Sequence, residues 1–235
     1  MVSTVDMLLP RSYRSRMRSL AYILLVLGGF GTTEIQPLPE GTRVRASPAD
    51  RPAVARLRND VEHWQALSKQ RGPRLLLFAE TGNPEVDRTG PIVRVDGPDK
   101  WPDETLTSYL VVVDEQHRVR LLMQSPASAS GDWSLELTHV FDEAGRTVAF
   151  RRSSRFFNSE CVEVAAERST ELFDPTGRRL ARDYRLEDGD EKPLSPKGCV
   201  FNYRHPYRIF ADLKSALEAA RLTPLVTAAG GKLAP

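Results

Sequence analysis

Three stretches of the chain repeat one hairpin pattern. In each, an apolar strand leads into a turn that begins with aspartate and reaches arginine four residues later, and a return strand follows; the turns begin at Asp114, Asp142 and Asp174. Aspartate at the first turn position accepts hydrogen bonds from backbone N–H groups two and three residues on. Gly145 and Gly177 stand where such a loop needs a positive φ, and His117 takes that place in the first copy at a steric cost. The repeat therefore predicts consecutive antiparallel hairpins.

Two further patterns, taken together with the hairpins, predict the fold class. Alternate residues are mainly apolar in four predicted strands, 133–141, 148–156, 162–172 and 180–186, which is typical of an antiparallel sheet with one solvated face. A helix is predicted over 52–70, because one face carries Val54, Leu57, Val61, Trp64 and Ser68. A second helix is predicted at about 209–222. The expected fold is α+β, a meandering antiparallel β-sheet of about seven or eight strands built from hairpins, with one helix near each end.

Composition divides the chain into four segments. Residues 1–31 are predicted to be a signal peptide. Residues 32–51, with three prolines and a glycine, are predicted to form an extended linker. Residues 52–222 are predicted to be a single α+β domain, which is long enough for a core of its own. Residues 223–235 are expected to be a flexible tail, since they contain two glycines and a terminal proline.

The first 31 residues have the features of a secretory signal peptide. Four arginines precede an apolar stretch at 20–27, and the small residues of 29–31 would serve as a cleavage site. The apolar stretch is short for a membrane span, which takes about 20 residues. An uncleaved membrane anchor and a buried helix are the alternatives. The expected location is therefore outside the cytoplasm, periplasmic or secreted, with membrane contact only if the leader is uncleaved.

Removal of the leader would change the balance of charge. The whole chain has a formal net charge of +2, but residues 1–31 hold four arginines and one aspartate. The remainder has 29 basic and 30 acidic side chains (33 − 4 and 31 − 1). A chain so close to neutrality has no general electrostatic attraction to nucleic acid, so nucleic acid is not an expected partner.

Cys161 and Cys199 are the two cysteines of the chain. In an exported protein they favour one disulfide, which would tie the start of the third hairpin to the loop before the last helix. Two free buried thiols are the alternative. Neither cysteine has a second ligand at the spacing of a zinc site, so no metal or cofactor is predicted.

Three arginines stand out as candidate ligand-binding residues. Arg152, Arg168 and Arg182 each interrupt the mainly apolar face of a predicted strand, and His139 does the same nearby. Charged groups are seldom buried without a partner. If the sheet curves, the guanidinium groups would converge on an anionic ligand, which arginine binds through a planar fork of donors. Alternatively, they lie at strand ends or pair with glutamates inside the fold.

The segment 202–208 mixes aromatic and cationic side chains. Tyr203 and His205 are therefore further candidate ligand-binding residues, as part of a recognition loop. The alternative is a loop that packs its tyrosines over the edge of the sheet.

The sequence favours a non-catalytic protein. It lacks Gly-x-Ser-x-Gly, His-Glu-x-x-His and a phosphate-binding loop, and no catalytic residue is assigned. The expected role is an exported protein that binds a protein partner or a small anionic ligand. The alternative is a hydrolase with its site on the arginine-bearing sheet face, where Ser153 or Ser154 would act with His139. A hydrolase would show a deep pocket with a perturbed acid–base pair, whereas a binding protein would show a shallow groove.

Overall fold

The computed structural model describes residues 34–70, 72–82, 89–97, 99–128, 130–157, 159, 161–195, 199 and 206–233. The predicted signal peptide at 1–31 lies outside the described residues, as do the candidate residues Tyr203 and His205.

Strands and helices follow one another in an order that confirms the α+β prediction. Their bounds are β1 Glu34–Ile35, α1 Arg51–Ser68, β2 Leu75–Thr81, β3 Ile92–Val95, β4 Thr105–Val113, β5 Val119–Pro126, β6 Trp133–Phe141, β7 Thr147–Phe157, β8 Val164–Phe173, β9 Arg179–Asp188, β10 Ile209–Phe210, α2 Leu213–Ala219 and α3 Thr223–Ala228. Eight strands form one antiparallel sheet in the order β3-β2-β4-β5-β6-β7-β8-β9, and β1 pairs with β10 in a separate ribbon. From β4 to β9 each strand pairs with the next, so the sheet is the predicted meander.

The three aspartate turns close hairpins as predicted, with one difference in bonding. Each aspartate Oδ1 accepts hydrogen bonds of 2.9–3.1 Å from the N–H groups two and four residues on, rather than two and three. Each Oδ2 accepts a hydrogen bond of 2.8 Å from the Nε of the arginine at the fourth place. The residue before that arginine has a positive φ, 64° at His117, 75° at Gly145 and 83° at Gly177. The arginine therefore clamps the turn through a charge-assisted hydrogen bond to the aspartate.

A fourth turn of the same kind begins at Asp188, the last residue of β9. Its Oδ1 accepts hydrogen bonds from the N–H groups of Asp190 and Lys192 at 2.9 and 2.8 Å, and Glu191 has a φ of 64°. The sequence pattern did not predict this turn, because lysine stands where the other copies have arginine. No glycine marks its positive-φ position either.

A β-bulge accompanies each aspartate–arginine turn. The register shifts at the last pair before the turn in β4–β5, β6–β7 and β8–β9, which leaves one extra residue in each return strand. Two of these extra residues, Val148 and Leu180, belong to the core under α1. The third, Arg120, lies over the ring of Trp64 with its guanidinium carbon 4.8 Å from the ring centre. Side chains were predicted to alternate strictly between the two faces of the sheet. This prediction is therefore wrong at the start of the return strands.

Helix α1 covers one face of the sheet, which we call the first face. The buried side chains of the helix are the five predicted from its periodicity, Val54, Leu57, Val61, Trp64 and Ser68. Beneath them runs a row of cross-strand partners, Leu75, Val112, Leu121, Val140, Ala149, Leu172 and Ala181. The prediction of one solvated face is therefore wrong over this area, because α1 excludes water from it.

The opposite face, the second face, carries α2, α3 and the β1–β10 ribbon. Its main core joins β2, β4, β5 and β6 to both helices, and its buried members include Phe78, Val111, Phe141, Leu213, Leu217 and Val226. A neighbouring cluster holds Leu135, Leu137, Phe150, Phe173 and Ile209. Both faces of the sheet thus contribute to the core.

The helix predicted at about 209–222 is shorter in the structure, and a further helix lies beyond it. Strand β10 takes its first two residues, α2 follows, and α3 is a separate helix. Arg221 has a φ of 57°, a left-handed conformation that ends the first helix. Its guanidinium contacts the carboxylate of buried Glu80 and the carbonyl of Gly90, which holds the turn against β2. Within the described part of the chain, no helix combines the length and apolar character needed to cross a membrane.

Two segments that were expected to be irregular are integrated into the domain. The predicted flexible tail at 223–235 contains α3, and Lys232 forms backbone hydrogen bonds of 2.6 Å with His117 and 3.1 Å with Val119. The predicted linker at 32–51 supplies β1 and a backbone bridge between Val44 and Arg182. Composition gave no sign of this order, because the backbone partners of both segments lie far away in the chain.

The predicted disulfide between Cys161 and Cys199 is confirmed. Their Cα atoms lie 5.3 Å apart, and the bridge spans 38 positions of the chain. Cys199 is buried in a cluster with Phe156, Tyr184 and Leu186. A disulfide is compatible with an exported protein, since such bonds persist in oxidising compartments.

Candidate functional site

The structure brings together two of the three candidate arginines and His139, but not the third arginine. Arg152 and Arg182 lie on the second face, as does His139 on β6. Arg168 is the cross-strand partner of Ser153 and Arg185 and lies on the first face. The expected convergence of three arginines is therefore absent. The alternation of side chains along β7 does not predict which face Arg168 occupies on β8, because the connection around Cys161 separates the two strands.

Arg152 is almost completely buried beside a buried carboxylate. Its Nη1 donates to Glu167, and the two side chains are 5% and 3% exposed. Glu167 also accepts hydrogen bonds from the hydroxyls of Ser154, at 3.4 Å, and Tyr184. The ring of Tyr207 lies 5.3 Å from the guanidinium carbon of Arg152. Removing one partner from such a pair costs about 3–5 kcal/mol, because the other charge stays buried.

Arg182 belongs to a second buried charge cluster. The Glu171 carboxylate has no exposed surface and lies 3.4 Å from the Nε of Arg182. It also accepts a hydrogen bond of 2.5 Å from the Nε of Arg179. The Nη1 of Arg182 donates to the carbonyl of Pro39 at 2.6 Å. For Arg152 and Arg182, the alternative in which arginines pair with glutamates inside the fold is the arrangement found.

His139 is buried among aromatic rings and acts as a hydrogen-bond acceptor. Its Nε2 accepts from the backbone N–H of Phe210 at 3.1 Å, and its ring centre lies 4.8 Å from that of Phe150. Burial lowers the pKa of His139 to about 3, so the ring is neutral near pH 7. Because this hydrogen bond occupies the Nε2 lone pair, His139 is not available as a general base for Ser153 or Ser154.

Residues 34–46, which we call the N-terminal strap, close over the buried arginines. The strap presents the carbonyls of Pro39 to Arg182 and of Gln36 to Arg179, the latter at 2.8 Å. Val44 then pairs with the backbone of β9. This part of the second face is therefore interior to the protein rather than a surface for a ligand.

The described end of the 202–208 segment packs on the domain. Tyr207 stacks on Phe150 with ring centres 5.5 Å apart, and Arg208 pairs with Glu34 at 2.8 Å. For Tyr207, the alternative in which the loop packs its tyrosines over the sheet is the arrangement found.

Other arginines surround an open cavity of about 580 Å³ between the strap, the first half of α1 and β9. Five exposed arginines line it, Arg43, Arg45, Arg51, Arg58 and Arg185. The carboxylate among the lining residues, Asp183, is already paired with Arg58 at 2.9 Å. Arg45, Arg51 and Arg185 make no hydrogen bond or ion pair with another side chain in the part of the chain that the structure describes. The cavity is therefore strongly positive.

A second cavity of about 610 Å³ continues along α1 over β8 and β9 and shares Arg58, Asp183 and Arg185 with the first. We call the two cavities together the arginine trough. The second cavity adds Arg151 and Arg168 to the lining, together with the exposed carboxylate of Glu62.

The arginines of the second cavity crowd one another. Arg168 and Arg185 are direct cross-strand partners, a position at which like charges destabilise a sheet. Glu187, at 3.4 Å from Arg168, and Glu191, at 3.9 Å, offset part of this repulsion. Burial, together with the nearby charge of Arg168, lowers the pKa of Arg151. A group of like charges that line one cavity is a candidate ligand site.

The trough offers mainly arginine hydrogen-bond donors, together with the carboxylates of Asp183 and Glu62. Its described lining contains no histidine, cysteine or serine. Across the described residues, no group of three or more His, Cys, Asp or Glu side chains is placed to hold a metal ion. Arginine forks match the geometry of carboxylate and phosphate groups.

The sequence analysis missed the trough because its arginines come from separate elements. The strap, α1, β7, β8 and β9 each contribute, and only the folded sheet brings them together. The local signal that was available is the pair Arg51 and Arg58, which lie seven residues apart and hence on one side of the helix.

The chain was compared with protein-family models, curated proteins and solved structures, and none of the three comparisons gives a match.

Proposed function

We propose that the protein is an exported, non-catalytic protein that binds an anionic partner or ligand in the arginine trough. The observation that carries the proposal is the set of exposed arginines around the first cavity, three of which have no partner among the described side chains. The chain beyond residue 31 is close to neutral, so this concentration of positive charge is not a consequence of composition. A bound anion would relieve the repulsion between Arg168 and Arg185.

Export is supported by the disulfide and by the composition of residues 1–31. Fractionation of cells that produce the full chain is expected to place the protein outside the cytoplasm. Mass spectrometry is expected to show an N-terminus at Thr32 or within a few residues of it. A full-length mass in the membrane fraction would indicate a retained anchor, and a cytoplasmic protein with reduced cysteines would contradict export.

Binding to the trough is tested with the triple variant R45Q/R51Q/R185Q. The probe is dextran sulfate, a soluble polymer with anionic groups and no aromatic rings. At low salt the variant is expected to bind it about tenfold more weakly than the wild type, since each exposed ion pair is worth about 0.2–1 kcal/mol. The control is R56Q, which removes one exposed arginine of α1 that lines neither cavity. Equal binding by the triple variant and the wild type would contradict the proposal.

A further inference from the structure

We infer that the ligand of the arginine trough is an extended acidic peptide segment of a partner protein that runs along α1 through both cavities. This inference rests on the proposed function, because it names the chemical class of the anion that binds there.

The trough has the length of a short extended peptide. Its lining reaches along α1 from Arg51 in the first cavity to Gln65 in the second. These 14 helical steps (65 − 51) correspond to about 21 Å at 1.5 Å per residue. An extended chain rises about 3.3 Å per residue, so about six residues fill this length. A single small anion would occupy only one of the two cavities.

The surface between the arginines is aliphatic, which favours a peptide over other linear anions. Val44, Ala46 and Ala55 line the first cavity and are at least partly exposed. Inorganic polyphosphate has no apolar atoms to cover such a surface, whereas the side chains of an acidic peptide have methyl and methylene groups. Among the described residues of the trough, the aromatic side chain is Tyr184, which is buried. The trough therefore lacks the exposed rings on which the bases of single-stranded nucleic acid stack.

The charge in the middle of the trough predicts where acidic and neutral side chains lie along the bound peptide. Asp183 lies in both cavities, its side chain is 58% exposed, and it is paired with Arg58. A ligand carboxylate directly above Asp183 would be repelled. Arg45 and Arg51, which pair with no side chain among the described residues, lie towards one end of the trough, and Arg151 and Arg168 towards the other. We therefore expect acidic side chains at both ends of the bound peptide and a small neutral residue in the middle.

The experiment uses fluorescent peptides and variants of each half of the trough. The probes are the octapeptide (Glu-Ala)4 and the tetrapeptide (Glu-Ala)2, with (Lys-Ala)4 as the control of opposite charge. R45Q/R51Q alters the first cavity and R151Q/R168Q the second. Each double variant is expected to weaken binding of the octapeptide at least about fivefold, whereas only one of them weakens binding of the tetrapeptide. R56Q is expected to bind both peptides like the wild type.

Folding of the variants is checked by their melting temperatures, and R168Q alone replaces R151Q/R168Q if the double variant does not fold. Equal affinity for the two peptides would overturn a ligand that spans both cavities. If linear polyphosphate with the same number of charges binds more tightly than the octapeptide, the ligand is not a peptide, although the trough is still an anion site. Absence of binding to every anionic probe, including dextran sulfate, would overturn the proposed function itself.

Discussion

His139 is a residue whose protonation the fold opposes. Its ring is enclosed by Phe141, Phe150 and Phe210, and burial lowers its pKa to about 3. In the unfolded chain the pKa returns to about 6.5. Between these two values the unfolded state binds a proton that the folded state does not bind. The free energy of unfolding therefore falls as the pH decreases from about 6.5 to about 3.

We expect the contribution of His139 to lower the free energy of unfolding by about 2 kcal/mol between pH 7 and pH 5. The variant H139Q keeps a hydrogen-bond acceptor for the Phe210 N–H group but does not titrate. It is expected to be less stable than the wild type at pH 7 and to depend less on pH. Urea unfolding at pH 7, 6 and 5 measures both effects, with H63Q as the control because His63 is exposed. An equal change of the free energy of unfolding with pH in the wild type and in H139Q would contradict this role of His139.

At the scale of elements, α2 is attached to the sheet by its own hydrogen bonds. Leu213 N–H donates to the Gly145 carbonyl at 2.8 Å, and the Thr147 hydroxyl donates to the Phe210 carbonyl at 2.6 Å. Neither bond involves the disulfide. The Cys161–Cys199 bridge instead adjoins the cluster around Tyr184.

Replacement of both cysteines in C161S/C199S is expected to lower the free energy of unfolding by up to about 4 kcal/mol, the chain-entropy value for a loop of this length. Local loosening is expected at 189–195, while the amides of α2 keep their protection. Hydrogen exchange with mass spectrometry separates the two regions. Exchange of α2 at the rate of 189–195 would show that the helix depends on the bridge.

Elements whose signals are local were predictable from the sequence. Helix α1 was predicted because its five buried residues repeat at helical spacing, and the hairpins because each turn carries its own aspartate and arginine. Helix α3 was not predicted, because the glycines and the terminal proline of 223–235 indicated a flexible tail. The register between strands could not be predicted from the sequence. For this reason Arg168 was assigned to the wrong face, and the trough was not predicted.

At the scale of the whole molecule, the strap completes the second face. Deletion of residues 34–46 removes the carbonyl partners of Arg179 and Arg182 and opens their cluster to water. We expect the deletion to lower the free energy of unfolding by at least about 3 kcal/mol, since it removes two hydrogen bonds from charged groups, each worth about 1.5–3 kcal/mol. The control E34Q removes only the pair with Arg208, whose side chain is 53% exposed, and is expected to cost less than about 1 kcal/mol. An unchanged melting temperature in the deletion variant would show that the strap does not stabilise the fold.

The pairing of β1 with β10 joins two segments that lie far apart in the chain, and it bears on the order of folding. Glu34 pairs with Phe210, 176 positions further along (210 − 34), whereas the hairpins from β4 to β9 join neighbouring strands. Closing a long loop costs more entropy than closing a hairpin, and contacts of large sequence separation slow folding. A chain that emerges from its N-terminus can form the meander hairpin by hairpin, and Val44 of the strap can pair once β9 is present, whereas β1 must wait for β10. We therefore expect the β1–β10 ribbon, and with it the packing of Tyr207 on Arg152, to form after the meander.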